Sequence, residues 1–105
     1  MKLPAALSPE AEADLEDAAI WHERQSAGLG RELVSEVRKA LVRIGDLPDG
    51  YPEVRPGVRR APVRRFSYGV FYRVRVEQVE VIGIFHNRRA PRVWQRRDRE
   101  TRPES

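Results

Sequence analysis

The stretch that decides the fold is GVFYRVRVEQVEVIGIFH, residues 69–86. Within 69–76 the side chains alternate between two faces, one holding Val70, Tyr72, Val74 and Val76 and the other Phe71, Arg73 and Arg75. This period of two is typical of a half-buried strand. Residues 78–86 are more apolar and should form a central strand. The short turn at Glu77 and Gln78 predicts that the two strands pair as an antiparallel hairpin.

The segment before this hairpin predicts a weaker strand over 59–66. Pro62 has no N–H to donate, so it must lie at a sheet edge or a bulge. We expect the chain to turn at residues 67–69 before the hairpin begins. The sheet should therefore be built largely from the second half of the chain.

Two amphipathic helices are predicted in the first half. Ser8 and Pro9 are typical of a helix start, and the first helix should run to about Gln25. The second helix, over 29–47, has an apolar stripe made of Leu29, Leu33, Val37, Ala40, Leu41 and Ile44. Gly28 suits a left-handed turn in the short break, so the helices should pack as a hairpin.

These elements predict an α+β fold with the order β-α-α-β-β-β, beginning with a strand over 2–7. The helical hairpin should cover one face of an antiparallel sheet and leave the other face open. Trp21 could be exposed at the surface for a partner, but we favour a position in the core of the helical hairpin. We also expect one shared core holding Leu33, Val37, Leu41, Val74 and Val81.

Composition excludes several classes of site. The 105 residues suit one domain, and there is no cysteine, so disulfides, thiolate zinc sites and cysteine nucleophiles are excluded. His22 and His86 are the only histidines, too few for a multi-histidine metal centre. We therefore expect no metal and no cofactor. No apolar segment is long enough to span a membrane, so we expect a cytoplasmic protein with no membrane partner.

Charge divides the chain into an acidic and a basic half. Residues 1–54 hold six lysines and arginines against eleven acidic residues, whereas 55–105 hold fourteen arginines against five. Such a basic half predicts an acidic partner, which is either nucleic acid or an acidic protein.

Four stretches together resemble the RelE/ParE family of bacterial toxins. They are LSPEAEADL (7–15), GLGREL (28–33), RRFSYGVFYRV (64–74) and the segment 81–94, which contains HNRRAP and Trp94. The resemblance covers about residues 3–97, and we assign 1–97 to a single RelE/ParE-like domain. Residues 98–105 are expected to be a disordered polar tail.

The resemblance implies the toxin of a type II toxin–antitoxin pair, neutralised by a cognate antitoxin that is acidic and partly disordered. RelE-like members cleave mRNA on the ribosome without a metal, and ParE-like members inhibit DNA gyrase. Gly69 stands where the nuclease branch usually has a functional arginine, and Trp94 stands in a tail that has no tyrosine. These departures favour a ParE-like gyrase inhibitor that is not an enzyme over a ribosome-dependent endoribonuclease.

Both mechanisms have candidate residues. If the chain is a nuclease, the candidates are Arg65, His86 and Arg88, with His86 as a base or, alternatively, a hydrogen-bonded strand end. The candidates for partner binding are Arg73, Arg75, Arg88, Arg89 and Trp94. Arg65, Arg73 and Arg75 could form one basic face for phosphate or for the antitoxin, and we favour the antitoxin. Trp94 could instead anchor the tail.

Overall fold

The computed structural model describes residues 2–88. Its elements are β1 (Ala5–Leu7), α1 (Pro9–Gln25), α2 (Leu29–Asp46), β2 (Glu53–Arg55), β3 (Val58–Val63), β4 (Tyr68–Val74) and β5 (Val79–His86). The predicted α+β order is confirmed, with β2 as an additional short strand. The turn before β4 occupies 64–67, slightly earlier than the sequence indicated.

The five strands form one sheet in the order β1-β5-β4-β3-β2. Strands β2 to β5 pair antiparallel, and β1 pairs parallel with β5 at the far edge. The helical hairpin packs on one face, with α1 against β5 and α2 against β3. Strand β5 is central, as its apolar sequence predicted.

Polar groups at the helix ends fix the hairpin. The Ser8 hydroxyl caps α1 by accepting a hydrogen bond from Ala11 N at 3.0 Å. Gly28 has the predicted left-handed φ of 88° and precedes α2. The Glu23 carboxylate accepts hydrogen bonds from Gly28 N at 2.8 Å and Gly30 N at 3.0 Å, so it caps α2 from the end of α1. These two bonds hold the pKa of Glu23 below its ordinary value.

The core lies between the helices and the sheet. Leu33, Val37 and Val81 are fully buried as predicted, and Leu41 packs against the same cluster. Val74 was predicted wrongly, because 36% of it is exposed. Strand β3 pairs with β4 only as far as Tyr72, so Val74 has no cross-strand neighbour on that side.

The face opposite the helices is not simply an open, solvated surface. It carries a second buried cluster formed by Val58, Phe71, Ile82 and Phe85. A register shift in β5 opposite Phe71 and Tyr72 leaves Ile82 as an extra residue. Because such a bulge changes which face the following residues point to, β5 buries apolar side chains on both faces.

Trp21 was also predicted wrongly. It is 56% exposed and does not lie inside the helical hairpin. The positions that face the sheet on α1 are Ala11 and Ala18, which are buried. Trp21 is offset from them and reaches the surface beside the sheet end.

Candidate functional site

A cleft lined by rings lies where β4 begins and β5 ends. We call it the aromatic cleft, and its rings belong to Trp21, His22, Phe66, Tyr68, Phe85 and His86. The His22 ring lies 4.9, 5.3 and 5.6 Å from the rings of Trp21, Phe66 and Tyr68, all edge to face. Tyr68 lies 5.4 Å from His86 on its other side. The cleft has a volume of about 970 Å³.

Three segments bring these rings together. Trp21 and His22 come from the last turns of α1, and Phe66 comes from the turn before β4. Tyr68 and His86 are register partners at the end of the β4–β5 ladder, so their side chains share a face. The His22 Nε2 atom is buried and has no hydrogen-bond partner among the described residues. A buried unpaired ring nitrogen is costly in a folded protein.

Charged groups complete the wall of the cleft. Asp14 and Asp17 line it from α1, and Arg65 lines it from the turn. Arg65 has a φ of 71°, which is strained for a residue with a side chain. Its guanidinium lies 3.6 Å from a Glu32 carboxylate oxygen and 4.0 Å from one of the largely buried Glu36.

Two of the three nuclease candidates line this cleft. Arg65 and His86 are both there, while Arg88 is exposed just beyond β5. His86 Nδ1 accepts a hydrogen bond from Arg88 N at 3.1 Å, which matches the strand-end alternative considered for this histidine. The Arg65 guanidinium faces the carboxylates of Glu32 and Glu36.

The predicted basic face of Arg65, Arg73 and Arg75 does not form. Arg65 precedes β4 and Arg75 follows it, so they lie at opposite ends of the strand. Arg73 is only 7% exposed, because its position in β4 turns it toward the face that carries the second cluster. Arg75 pairs with Glu80 across the hairpin at 3.0 Å. Arg89 and Trp94 lie outside the described residues.

Gly69 is buried beneath a neighbouring arginine that the sequence did not single out. The Arg60 side chain packs directly over the Gly69 Cα, and its guanidinium lies 6.0 Å from the Phe71 ring centre. Arg60 also donates a hydrogen bond to the Asn87 side-chain oxygen. A guanidinium therefore lies over the position at which the nuclease branch usually carries its own arginine. Only the cross-strand register, which is not readable from the sequence, reveals this contact.

A second groove runs along the outer side of the helical hairpin. We call it the hairpin groove, and its volume is about 690 Å³. Its apolar floor includes Ile20 and Val42, which are 45% and 64% exposed. Its polar lining has three cations, Arg31, Arg38 and Lys39, together with Ser35 and one carboxylate, that of Glu23. The sequence did not reveal this groove, because charged residues such as Arg31, Arg38 and Lys39 are typical of the solvent-exposed face of an amphipathic helix.

Other kinds of site are not observed in the part of the chain that the structure describes. Within residues 2–88, no three acidic or histidine side chains are grouped as a metal would require. In the same residues, neither helix is long and apolar enough to cross a membrane.

Comparison with known proteins adds to this geometry. Residues 5–91 match a family model described as the ParE toxin of the type II toxin–antitoxin system parDE. The fold is similar to that of a chain from the chromosomal ParDE TA system of P. aeruginosa, with a TM-score of 0.72 and 17% identity. The match covers 81% of this chain and 96% of that one. No curated protein sequence matches at a significant level.

Proposed function

The chain belongs to the ParE toxin family of type II toxin–antitoxin systems, and from this premise we propose that it inhibits DNA gyrase by binding and is neutralised by a cognate antitoxin. The solved relative with the same fold comes from a system named ParDE, a toxin together with its antitoxin. Both proposed partners are found in the cytoplasm, where we place the protein. The antitoxin is expected to present an acidic, partly disordered segment.

The observation that best supports an antitoxin partner is the hairpin groove. Exposed apolar side chains along a groove are typical of a docking surface for an amphipathic helix. The polar lining around Ile20 and Val42 is net basic, because its three cations outnumber the one carboxylate of Glu23. A helix with an apolar stripe and acidic flanks complements this groove, and a disordered acidic segment can fold into such a helix on contact.

The groove is tested by two exposed valines. Val42→Glu puts a carboxylate on the groove floor, whereas Val54→Glu changes a valine in β2 that is 38% exposed outside the groove. With an antitoxin encoded beside the toxin gene, we expect Val42→Glu to weaken binding by at least about tenfold, as loss of a central interface contact does. Val54→Glu should bind as the parent does. Equal binding by both variants would rule the groove out.

We also propose partner contacts for arginines of the second half of the chain, namely Arg75 at the β4–β5 turn and Arg88 beyond the opposite end of β5. Arg89 and Trp94, which follow Arg88 in the sequence, are proposed with it. Arg73 is buried, so it would act only through the fold around it. Charge reversal at Arg75 and Arg88 should slow antitoxin association and reduce its dependence on salt. Association that stays fast and equally salt-dependent in these variants would exclude an electrostatic role.

Inhibition by binding is favoured over RNA cleavage by what surrounds the candidate groups. A metal-independent nuclease needs free cations around the developing charge on phosphorus. Here Arg65 faces two glutamates, and Arg60 is engaged by Asn87 and the Phe71 ring. Gly69 has no side chain, and it occupies the position at which the nuclease branch usually has a functional arginine. We also propose that toxicity depends on the segment around Arg88, Arg89 and Trp94.

One observation supports the alternative of an RNA-cleaving enzyme: Arg65, Tyr68 and His86 line the same cleft. Primer extension on translating ribosomes tests it, with His86→Ala and Arg65→Ala as the variants. We expect no discrete cuts in the mRNA from the purified protein. Cuts that disappear in those variants would make the endoribonuclease the correct function.

A further inference from the structure

The aromatic cleft has features of a ligand site that neither gyrase inhibition nor antitoxin binding uses. Its volume of about 970 Å³ lies within the range of small-molecule sites. Its rings leave Trp21 56% exposed, so a large aromatic surface remains available for stacking. Most surface tryptophans bury more of the ring, because exposure of so much apolar area is unfavourable.

Two further observations point to a ligand at this place. His22 lines the cleft, and its Nε2 atom is buried without a hydrogen-bond partner among the described residues. Arg65, on the same wall, has a left-handed backbone φ of 71°, a conformation that residues with a side chain rarely adopt. An unpaired buried nitrogen and a strained cation beside one cavity are typical of a site that binding completes.

The chemistry of the wall selects among planar ligands. A hydrocarbon ring would use the aromatic side chains and leave Asp17 and His22 without partners. A nucleobase offers both a stacking face and a polar edge. Asp17 makes no ion pair or hydrogen bond with another described residue, and its carboxylate can only accept hydrogen bonds. The adjacent N–H groups of guanine complement two carboxylate oxygens, whereas adenine presents a ring nitrogen that also accepts.

We propose that the aromatic cleft binds a guanine nucleotide. The base lies against Trp21 and the neighbouring rings, and its donor edge meets Asp17. Its phosphate lies toward the Arg65 side chain, which is 64% exposed and which the phosphate must share with Glu32 and Glu36. The same chemistry is offered by free guanosine monophosphate and by a guanosine within a single strand. Asp14 takes no part in binding, because its Oδ2 atom accepts a hydrogen bond from Ile84 N.

The test is a titration of the full-length chain with guanosine monophosphate, followed through the Trp21 indole N–H in NMR spectra. Trp21→Ala identifies that signal by removing it. We expect saturable binding, and by isothermal calorimetry about tenfold weaker affinity in Trp21→Ala, the size of one lost stacking contact. Ile20→Ala is the matched control, because it changes the adjacent residue on α1 and lines the hairpin groove instead.

Two more variants test the polar contacts. Asp17→Asn should abolish the preference for guanosine over adenosine monophosphate, while Glu16→Gln, its exposed neighbour outside the cleft, should preserve it. His22→Phe keeps a ring in place, removes the unpaired nitrogen and should weaken binding. Folding of each variant is checked by its thermal unfolding transition.

A short RNA with a single guanosine distinguishes the two sources. Equal affinity for this RNA and for the free nucleotide identifies the nucleotide as the ligand, and much tighter binding of the RNA identifies a strand. The absence of saturable binding by both probes would overturn the proposal. So would affinities that stay unchanged in both Trp21→Ala and His22→Phe. Supercoiling inhibition is independent of these outcomes and would stand in either case.

Discussion

The Asp14 carboxylate on α1 accepts a hydrogen bond from the backbone N–H of Ile84 on β5, at 3.1 Å. Strand β1 covers the outer edge of β5 only from Val79 to Val81, because the chain leaves the sheet at Ser8 to enter α1. Beyond that point no strand of residues 2–88 lies beside the edge of β5. A side chain from the following helix therefore supplies the acceptor that a longer β1 would have provided.

Loss of this acceptor should destabilise the protein. Asp14→Ala leaves a partly buried backbone N–H unpaired, and hydrogen bonds to charged groups contribute about 1.5–3 kcal/mol. We expect a decrease of that size in the free energy of unfolding, measured by urea denaturation. Asp17→Ala changes an exposed aspartate on the same helix and should stay within about 0.5 kcal/mol of the parent. Equal losses in both variants would show that the contact with Ile84 contributes little.

Glu23 should make stability depend on pH. Its pKa is lowered from 4.5, chiefly by hydrogen bonds from Gly28 N and Gly30 N. A carboxyl with a lower pKa in the folded state stabilises the fold above its unfolded pKa, and this contribution is lost as pH falls through the folded pKa. Glu23→Gln should therefore be less stable than the parent at neutral pH. The difference should vanish in acid, below the lowered pKa.

The control for this prediction is Glu16→Gln, on an exposed position of α1 with no such backbone contact. Thermal unfolding of the three proteins across acidic and neutral pH gives the comparison. A stability gap for Glu23→Gln that persists unchanged in acid would mean that its charge does not hold the start of α2.

Tyr72 should show the opposite dependence at alkaline pH. Burial raises its pKa to about 12 from 10.0, and its hydroxyl donates to the Pro48 carbonyl at 2.8 Å. Because the folded state keeps this proton longer, stability should decrease as pH rises from the unfolded pKa through the folded one. Tyr72→Phe should remove the latest phase of the phenolate absorbance titration. It should also cost about 0.5–1.5 kcal/mol for the lost hydrogen bond at neutral pH. A titration with the same phases in the variant would contradict this assignment.

His22→Phe should raise stability in the absence of ligand. The buried Nε2 atom has no partner among the described residues, and an unsatisfied buried polar atom costs about 1–3 kcal/mol. Phenylalanine preserves the edge-to-face contacts with Phe66 and Tyr68. We expect a higher midpoint of thermal unfolding than in the parent. A lower midpoint would indicate that His22 is satisfied in solution.

The order of elements was predictable because periodicity reports it directly. The alternation after Gly69 predicts a strand with one buried face, and the apolar stripe of α2 predicts a helix with one buried face. Both predictions use only nearby residues. Ser8 and Gly28 indicated the helix boundaries, because a serine side chain can cap a helix and a glycine readily adopts the left-handed conformation. Such signals act within a few residues, so a single sequence contains them.

Long-range register was not predictable, and most of the site depends on it. The bulge at Ile82 changes the face of every later residue in β5, and no local pattern marks it. The same shift determines that His86 meets Tyr68. Trp21 was misassigned because an aromatic residue on a helix usually points inward. The position of Arg60 over Gly69 likewise follows from the pairing of β3 with β4.

We propose that this ParE-family protein acts by binding gyrase. The most direct measurement is supercoiling of relaxed plasmid by purified gyrase with increasing amounts of the full-length chain, free of antitoxin. We predict dose-dependent loss of supercoiling that is restored by adding the antitoxin, and weaker inhibition by a variant with Arg88, Arg89 and Trp94 all changed to alanine. Undiminished supercoiling at a large molar excess of folded toxin would contradict the account.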